Sequence, residues 1–221
     1  MITISKEDYL KAVLEAELEG ENVIPATLAH WLNVSAPAVT MALRRLKKDG
    51  MVQVRADGRV QLTAAGKQVA QRTVHRHHLI ERMLHEVFDM EWWKVHDEAE
   101  RLEHAVSSDF EAKLAEKLGR ESKCPHGNYA TPETPTARRK RGLKLLSEAE
   151  PDIHYTVASV YERDRKLLEF LEDRGMRPGS KLKVLARNYD QTITLSTDEG
   201  ESSVGKPVAE RVWVKAATRA R

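Results

Sequence analysis

The chain has 221 residues, 41% of them hydrophobic, enough for a sizeable core spread over two or three small domains. Its 36 basic and 34 acidic residues leave a net charge of +2, so a surface for a polyanion must come from local clustering of basic residues. One cysteine, Cys124, excludes an intrachain disulfide and points to a reducing compartment; with no apolar run of membrane-spanning length and an N-terminus, MITISKEDYL, unlike a signal peptide, a cytoplasmic protein is expected.

Residues 5–20, SKEDYLKAVLEAELEG, carry a helical apolar stripe through Tyr9, Leu10, Val13, Leu14 and Leu18, with Ser5 placed to cap it and Gly20 to end it. ATLAHWL, with Pro25 near its first turn, gives a second helix. After the short turn NVS comes a third, SAPAVTMALRRLKKDG, with Ser35 as N-cap, Pro37 in the first turn and Gly50 as stop. MVQVRADGRVQLT reads as a β-hairpin around Asp57-Gly58. Helices are then expected in TAAGKQVAQRTVHRHHLIERMLHEVF, WWKVHDEAERLEHAVS and SDFEAKLAEKLG. From Lys123 to about Pro151 the periodicity fails, and CPHGNYATPETPTARRKRG reads as loop and tether. Beyond it HYTVASVYE, a helical RKLLEFLEDRG, SKLKVLARN, QTITLST and VAERVWVKA describe a small β-rich module, expected to close as a barrel.

Helix, short turn, helix and hairpin in this order suggest a winged helix-turn-helix at residues 1–72. The third helix places Ser35, Ala36, Pro37, Thr40, Met41 and Arg44 on its N-terminal half, where small residues allow close entry into a major groove. Arg45, Lys47 and Lys48, with Arg55 and Arg59 on the hairpin, add phosphate-seeking charge. A three-helix bundle with a solvated basic face is the plainer alternative.

On a helix, His96, Glu100, Glu103 and His104 share one face, and the preceding long helix offers His77 and Glu81 at i and i+4. Two such faces can converge on a metal, as in bundle-core sites, although charged residues on an amphipathic helix are commonly just solvated. The donors are nitrogen and oxygen, with Cys124 expected in a loop away from this face; that set suits Mn²⁺ or Fe²⁺ better than a closed structural zinc site. No HExxH, Gly-rich phosphate loop or nucleophile elbow is present, so a non-enzymatic protein is expected, a metalloenzyme with a basic accessory domain being the remaining alternative.

EDYL at 7–10, VSAPAVTMALRRLKKDGMV at 34–52, LTAAG at 62–66, RHHLIERML at 76–84, KVHDEAERLEHAVS at 94–107 and PHGN at 125–128 together resemble the diphtheria toxin repressor family of metal-dependent transcriptional regulators, in particular its manganese-responsive branch. The resemblance implies a mainly α protein with α+β parts: the winged helix-turn-helix, a helical metal-binding and dimerisation domain at 73–128, a linker at 129–151 and an SH3-like β-barrel at 152–221. It implies a primary metal site of Asp8, Glu100, Glu103 and His104 and an ancillary site of His77, Glu81 and His96 with Asp164 from the C-terminal module. The iron-responsive branch has sulfur ligands at the positions of Asp8 and Glu100, so carboxylates there favour Mn²⁺, with an iron-responsive or broad-range regulator as the alternative. Shorter manganese regulators carry a second acid one turn after Asp8; this chain has Lys11, which argues for separate sites rather than a close two-metal cluster. The function implied is a manganese-dependent repressor of metal-uptake genes. It would bind double-stranded operator DNA as a homodimer built on helices around Leu79–Leu118, with the metal as corepressor.

Overall fold

The computed structural model describes residues 6–119, 123–129 and 133–217. The chain divides into two compact units, Met1–His77 with Ala130–Pro135 and His78–Tyr129 with Thr136–Arg221.

The first unit contains α1 (Lys6–Leu18), α2 (Pro25–Leu32), α3 (Ala36–Lys48), the hairpin β1 (Val52–Val54) and β2 (Val60–Leu62), and the first part of α4 (Ala64–Glu86). The apolar stripe of α1 is buried through Tyr9, Leu10, Val13 and Leu14, against Leu28, Val39, Leu43 and Leu46 of α2 and α3. Between α2 and α3, Asn33 takes a left-handed conformation (φ 50°) that closes the tight helix-turn-helix corner, and the Ser35 hydroxyl accepts the Ala38 N–H to cap α3. The hairpin pairs Val52 with Leu62 and Val54 with Val60. Thr63 fastens α4 beneath it: its hydroxyl donates to the Gly50 carbonyl at 2.7 Å and accepts the Gly66 N–H at 3.1 Å. Gly66 is required for that approach, since a Cβ there would stand 2.0 Å from the Met51 carbonyl oxygen. Helix, turn, helix and wing form a winged helix-turn-helix. Ser5, expected as the first cap, lies outside the described residues.

The second unit holds the rest of α4, α5 (Val95–Leu102), α6 (Ser108–Leu118), α7 (Pro135–Lys140, which begins at the boundary), β3 (Leu143–Leu145), β4 (His154–Val160), α8 (Arg165–Glu172), β5 (Lys181–Arg187), β6 (Ile193–Thr197), β7 (Gly200–Val204), α9 (Lys206–Ala209) and β8 (Val212–Ala216). Its strands form one antiparallel six-stranded sheet in the order β3-β8-β4-β5-β6-β7. Val157, Val184, Leu195 and Val214 of the sheet bury against Leu168 and Leu171 of α8 and against Trp92. Trp92 and Glu172 are also joined through the indole N–H at 2.5 Å.

Four expectations are corrected. The C-terminal sheet is SH3-like in its strands but open: among the described residues no ladder joins β3 to β7, so it is not a closed barrel. Alternation of side chains identifies strands without fixing whether the first meets the last. The segment read as linker contains α7, and β3 adds to the sheet edge by pairing Leu143–Leu145 with β8. VAERVWVKA begins with the last two residues of α9, a helix with Pro207 in its first turn, and ends in β8, while the polar strand β7 precedes α9. Finally, the helix of HDEAERLEH ends at Leu102; Glu103 is its C-cap, and the Ala105 N–H to Leu102 carbonyl bond tightens the chain into a turn that carries His104.

Candidate functional site

Every residue expected to face DNA is exposed: Ser35, Ala36, Pro37, Thr40, Met41, Arg44, Arg45, Lys47 and Lys48 on or at α3, and Arg55 and Arg59 on the wing. The opposite face of α3 supplies Val39, Leu43 and Leu46 to the core, so its amphipathic pattern leaves the basic face unburied. Met41, at 55% exposure, is an apolar side chain that the fold does not bury. On the wing, Arg55 donates to Gln61 at 2.7 Å and Arg59 to Asp57 at 2.7 Å, which holds both guanidinium groups on the hairpin.

The second unit builds a buried cluster from four separate segments. The α4 helix contributes His78 and Glu81, α5 contributes His96, the Cys-Pro-His-Gly-Asn turn contributes Cys124 and His126, and Glu162 follows the end of β4. One donor atom each of His78, Glu81, Cys124 and Glu162 lies within 4.8 Å of the others. His126 joins them, its Nδ1 3.3 Å from Glu81 Oε1, 3.6 Å from Glu162 Oε2 and 3.9 Å from Cys124 Sγ. His96 Nδ1 approaches the same Glu81 oxygen at 3.1 Å. The turn that brings Cys124 and His126 inward is fixed by backbone bonds: Cys124 N–H to the Asn128 carbonyl and Val160 N–H to the His126 carbonyl. At its tip Gly127 (φ 83°) lies against β4, where a Cβ would come within 2.2 Å of the Ala158 carbonyl oxygen.

The charges within this cluster are interdependent. Burial would make the His126 ring less basic, but the charge and hydrogen bond of Glu81, the charge of Glu162 and the Trp92 carbonyl make it more basic than usual. Burial and the Glu81 charge work to raise the Glu162 pKa, yet His78 and His126 outweigh them and hold the carboxyl well below its usual range. Burial first, then the charges of Glu162 and Glu81, keep the Cys124 thiol well above its usual range. Carboxylates, imidazoles and a thiol converging in a buried volume form a donor set of the kind that takes a divalent transition metal, and bound metal would replace the thiol proton.

The remaining sequence-predicted ligands fall as follows. His77 and Glu81 are buried one turn apart on α4, and His96 is buried on α5. In the first unit the Lys11 ammonium, itself buried, lies 3.0 Å from His77 Nδ1. Asp8 lies in the first turn of α1, partly exposed. In the second unit, Glu103 is fully buried and its Oε1 lies 3.5 Å from Nε2 of the exposed His104. Glu100 is 3.5 Å from Arg163 and 3.7 Å from His96. Asp164 is exposed and caps α8, its carboxylate accepting the Leu167 N–H at 3.1 Å; the structure does not bring it into the cluster, where Glu162 is found instead. Cys124, expected in a loop away from the histidines, is inside the cluster, with its Sγ 3.5 Å from Glu162. His78, His126 and Glu162 were not anticipated. The Cys-x-His spacing within one short turn is a sequence signal that could have found two of the cluster residues.

Two domain models of the iron-dependent repressors match the chain: the N-terminal DNA-binding domain over residues 1–60, and the metal-binding and dimerisation domain over residues 63–131. A FeoA domain model matches residues 144–216. The iron-dependent repressor IdeR of Mycobacterium leprae is 30% identical over 190 residues, covering 80% of this chain and 82% of that protein. The chain belongs to the iron-dependent repressor family. Across nearly its full length it is also similar to the diphtheria toxin repressor of Corynebacterium jeikeium, at 29% identity with 95% of each chain covered. Among solved structures, a manganese-dependent transcriptional repressor in complex with manganese is 31% identical, with a TM-score of 0.85, covering 96% of this chain and all of that one. The manganese regulator SloR is 27% identical, with a TM-score of 0.79 and 98% of this chain covered. In this chain the DNA-binding head, the metal-binding and dimerisation helices and the FeoA-type sheet follow one another in that order, and the family is one of DNA-binding repressors.

Proposed function

We propose that this member of the iron-dependent repressor family is a homodimeric repressor that binds double-stranded operator DNA of metal-uptake genes when loaded with Mn²⁺. The observation that carries the reading is the buried cluster of carboxylates, imidazoles and one thiol in a chain whose N-terminal head exposes a basic recognition helix.

Two sites are assigned. The primary site takes Asp8, Glu100, Glu103 and His104. The ancillary site takes His77, Glu81 and His96, Glu162 replaces Asp164 as the donor from the C-terminal sheet, and Cys124 is its thiolate donor; His78 and His126 complete its surroundings. A bound divalent cation supplies the positive charge that lets carboxylates from different parts of the chain converge. Without it the like charges of Asp8, Glu100 and Glu103 disfavour their convergence, with the Arg163 guanidinium 3.5 Å from Glu100. With the carboxylates drawn together, the two recognition helices of a dimer can be held at the spacing of successive major grooves, about 34–36 Å. Linkage then requires that operator DNA tighten metal binding by the same factor by which metal tightens DNA binding.

The all-oxygen and imidazole character of the primary set, and the manganese-dependent repressors of similar structure, support Mn²⁺. A broader metal response has one observation in its favour. Cys124 gives the other cluster a soft donor suited to Fe²⁺ or Zn²⁺, and the similar manganese-activated repressor ScaR has been solved with bound Zn²⁺.

Asp8→Ala or Glu100→Ala is expected to abolish metal-dependent operator binding with the far-UV circular dichroism of the apo protein unchanged. Persistence of Mn²⁺-dependent binding in either variant contradicts the primary-site assignment. Asp8→Met combined with Glu100→Cys is expected to shift the DNA-binding response toward Fe²⁺; an unchanged preference contradicts the hard-ligand argument.

A further inference from the structure

The partly buried Asn128 side chain makes three polar contacts at the turn that carries Cys124 and His126. Its amide nitrogen donates to Glu162 Oε2 at 2.6 Å and also reaches the Val160 carbonyl at 3.2 Å. Its amide oxygen accepts from Arg138 Nη2 at 3.2 Å. Arg138 lies on α7, and its guanidinium stacks over the Trp213 ring at 5.2 Å. The same residue accepts the Cys124 N–H through its backbone carbonyl, so Asn128 touches both the segment that bears Cys124 and the carboxylate of Glu162.

We infer that Asn128 is a positioning residue for the buried cluster: it holds the Glu162 carboxylate toward Cys124 and Glu81, and Arg138, stacked on Trp213, fixes Asn128 for that task. The inference rests on the assignment of Glu162 and Cys124 as metal ligands. The chemistry is that of an outer hydrogen bond to a ligating carboxylate, which fixes which oxygen faces the metal and limits the rotamers the side chain must give up on binding. The amide suits this position because it donates to a carboxylate on one side and accepts from a guanidinium on the other. Aspartate of the same shape would satisfy Arg138 but meet Glu162 with like charge.

The test is a Co²⁺ titration of the full chain, followed by the thiolate-to-cobalt charge-transfer band that reports the Cys124–metal bond. Wild type should develop the band. Asn128→Ala should develop the same band with affinity lower by about 10- to 100-fold, the usual loss for an outer-shell partner. Asn128→Asp should be weaker still. Arg138→Met should lose affinity in the same direction, and combining it with Asn128→Ala should cost little beyond Asn128→Ala alone, because Arg138 acts through Asn128. Each variant is compared with wild type by apo thermal melting, and Arg138→Met leaves the turn itself intact. A wild-type protein without the band overturns the ligand assignment. A wild-type band with unchanged affinity in Asn128→Ala and Asn128→Asp overturns the positioning role alone, and full additivity in the double variant removes Arg138 from it.

Discussion

His126 donates its Nε2–H to the Trp92 backbone carbonyl at 2.9 Å and thereby points Nδ1 at the carboxylates of Glu81 and Glu162. A ligating histidine commonly has its second nitrogen held in this way, which fixes the ring and the donor atom. The carbonyl cannot be removed by a side-chain change, so the consequence is tested on the neighbouring sulfur. Cys124→Ser should lower affinity for Zn²⁺ and Cd²⁺ at this cluster by about tenfold or more, at least the loss expected for an outer-shell partner. Mn²⁺ affinity should fall less, because oxygen replaces sulfur with little penalty for a hard ion. Competition titrations against a chromophoric chelator measure both; equal losses for all three ions contradict a ligating Cys124.

On the DNA side, Arg44 is exposed on α3 and its core-facing neighbour Leu43 is buried, so Arg44→Ala should leave the head folded. If Arg44 neutralises one phosphate, binding weakens on all duplexes and the slope of log affinity against log salt falls by about 1. Anisotropy titrations at several salt concentrations read the slope. A loss confined to one sequence with the slope unchanged would instead assign Arg44 to base contact.

Gly66 marks where α4 packs under the wing. Gly66→Ala would force a Cβ to within 2.0 Å of the Met51 carbonyl oxygen, so hairpin and helix must separate. The expected cost is about 1–3 kcal/mol, the range for overpacked positions. Thermal melting measures it, and a variant as stable as wild type contradicts the close approach.

Much of this fold was legible because its signals are local. Ser35 and Gly50 flank α3 and Pro37 lies in its first turn, and Asp57-Gly58 lies at the hairpin tip between β1 and β2. The buried cluster was not legible because its contacts are long-range. Cys124 meets Glu162 across 38 positions and His78 meets Glu162 across 84, and no periodicity within a segment encodes such a meeting. Two acids follow β4, and which of them faces the cluster depends on where α8 starts. The Asp-Arg-Lys-Leu spacing is an N-cap signal for Asp164, and it would have freed Glu162 for the cluster. His104 was placed on a helix face because the acidic run continues helical periodicity; the chain turns after Leu102 regardless.

Arg139 of α7 pairs with Glu148 through two bonds, at 2.6 and 2.7 Å, and Glu148 also accepts the Leu145 N–H. The hydrogen bond from Arg139 is the main cause that holds the Glu148 carboxyl below its usual pKa, with burial opposing it. A carboxyl depressed in the folded state stabilises the fold above its unfolded pKa, and this contribution is lost as pH falls through the folded value. The pair is largely exposed and screened, so about 0.5 kcal/mol is expected. Glu148→Gln should therefore lower the melting temperature slightly at pH 7 and leave it unchanged at pH 2–3; an equal loss at both contradicts the ionic origin.

The central claim is that a divalent cation switches this protein into its DNA-binding state. The most direct measurement is fluorescence anisotropy of a labelled duplex from the region upstream of a metal-uptake gene, titrated with protein in chelator and then in excess Mn²⁺. The account predicts tight, saturable binding with Mn²⁺ and its loss on adding chelator. Equal affinity with and without the metal would contradict it.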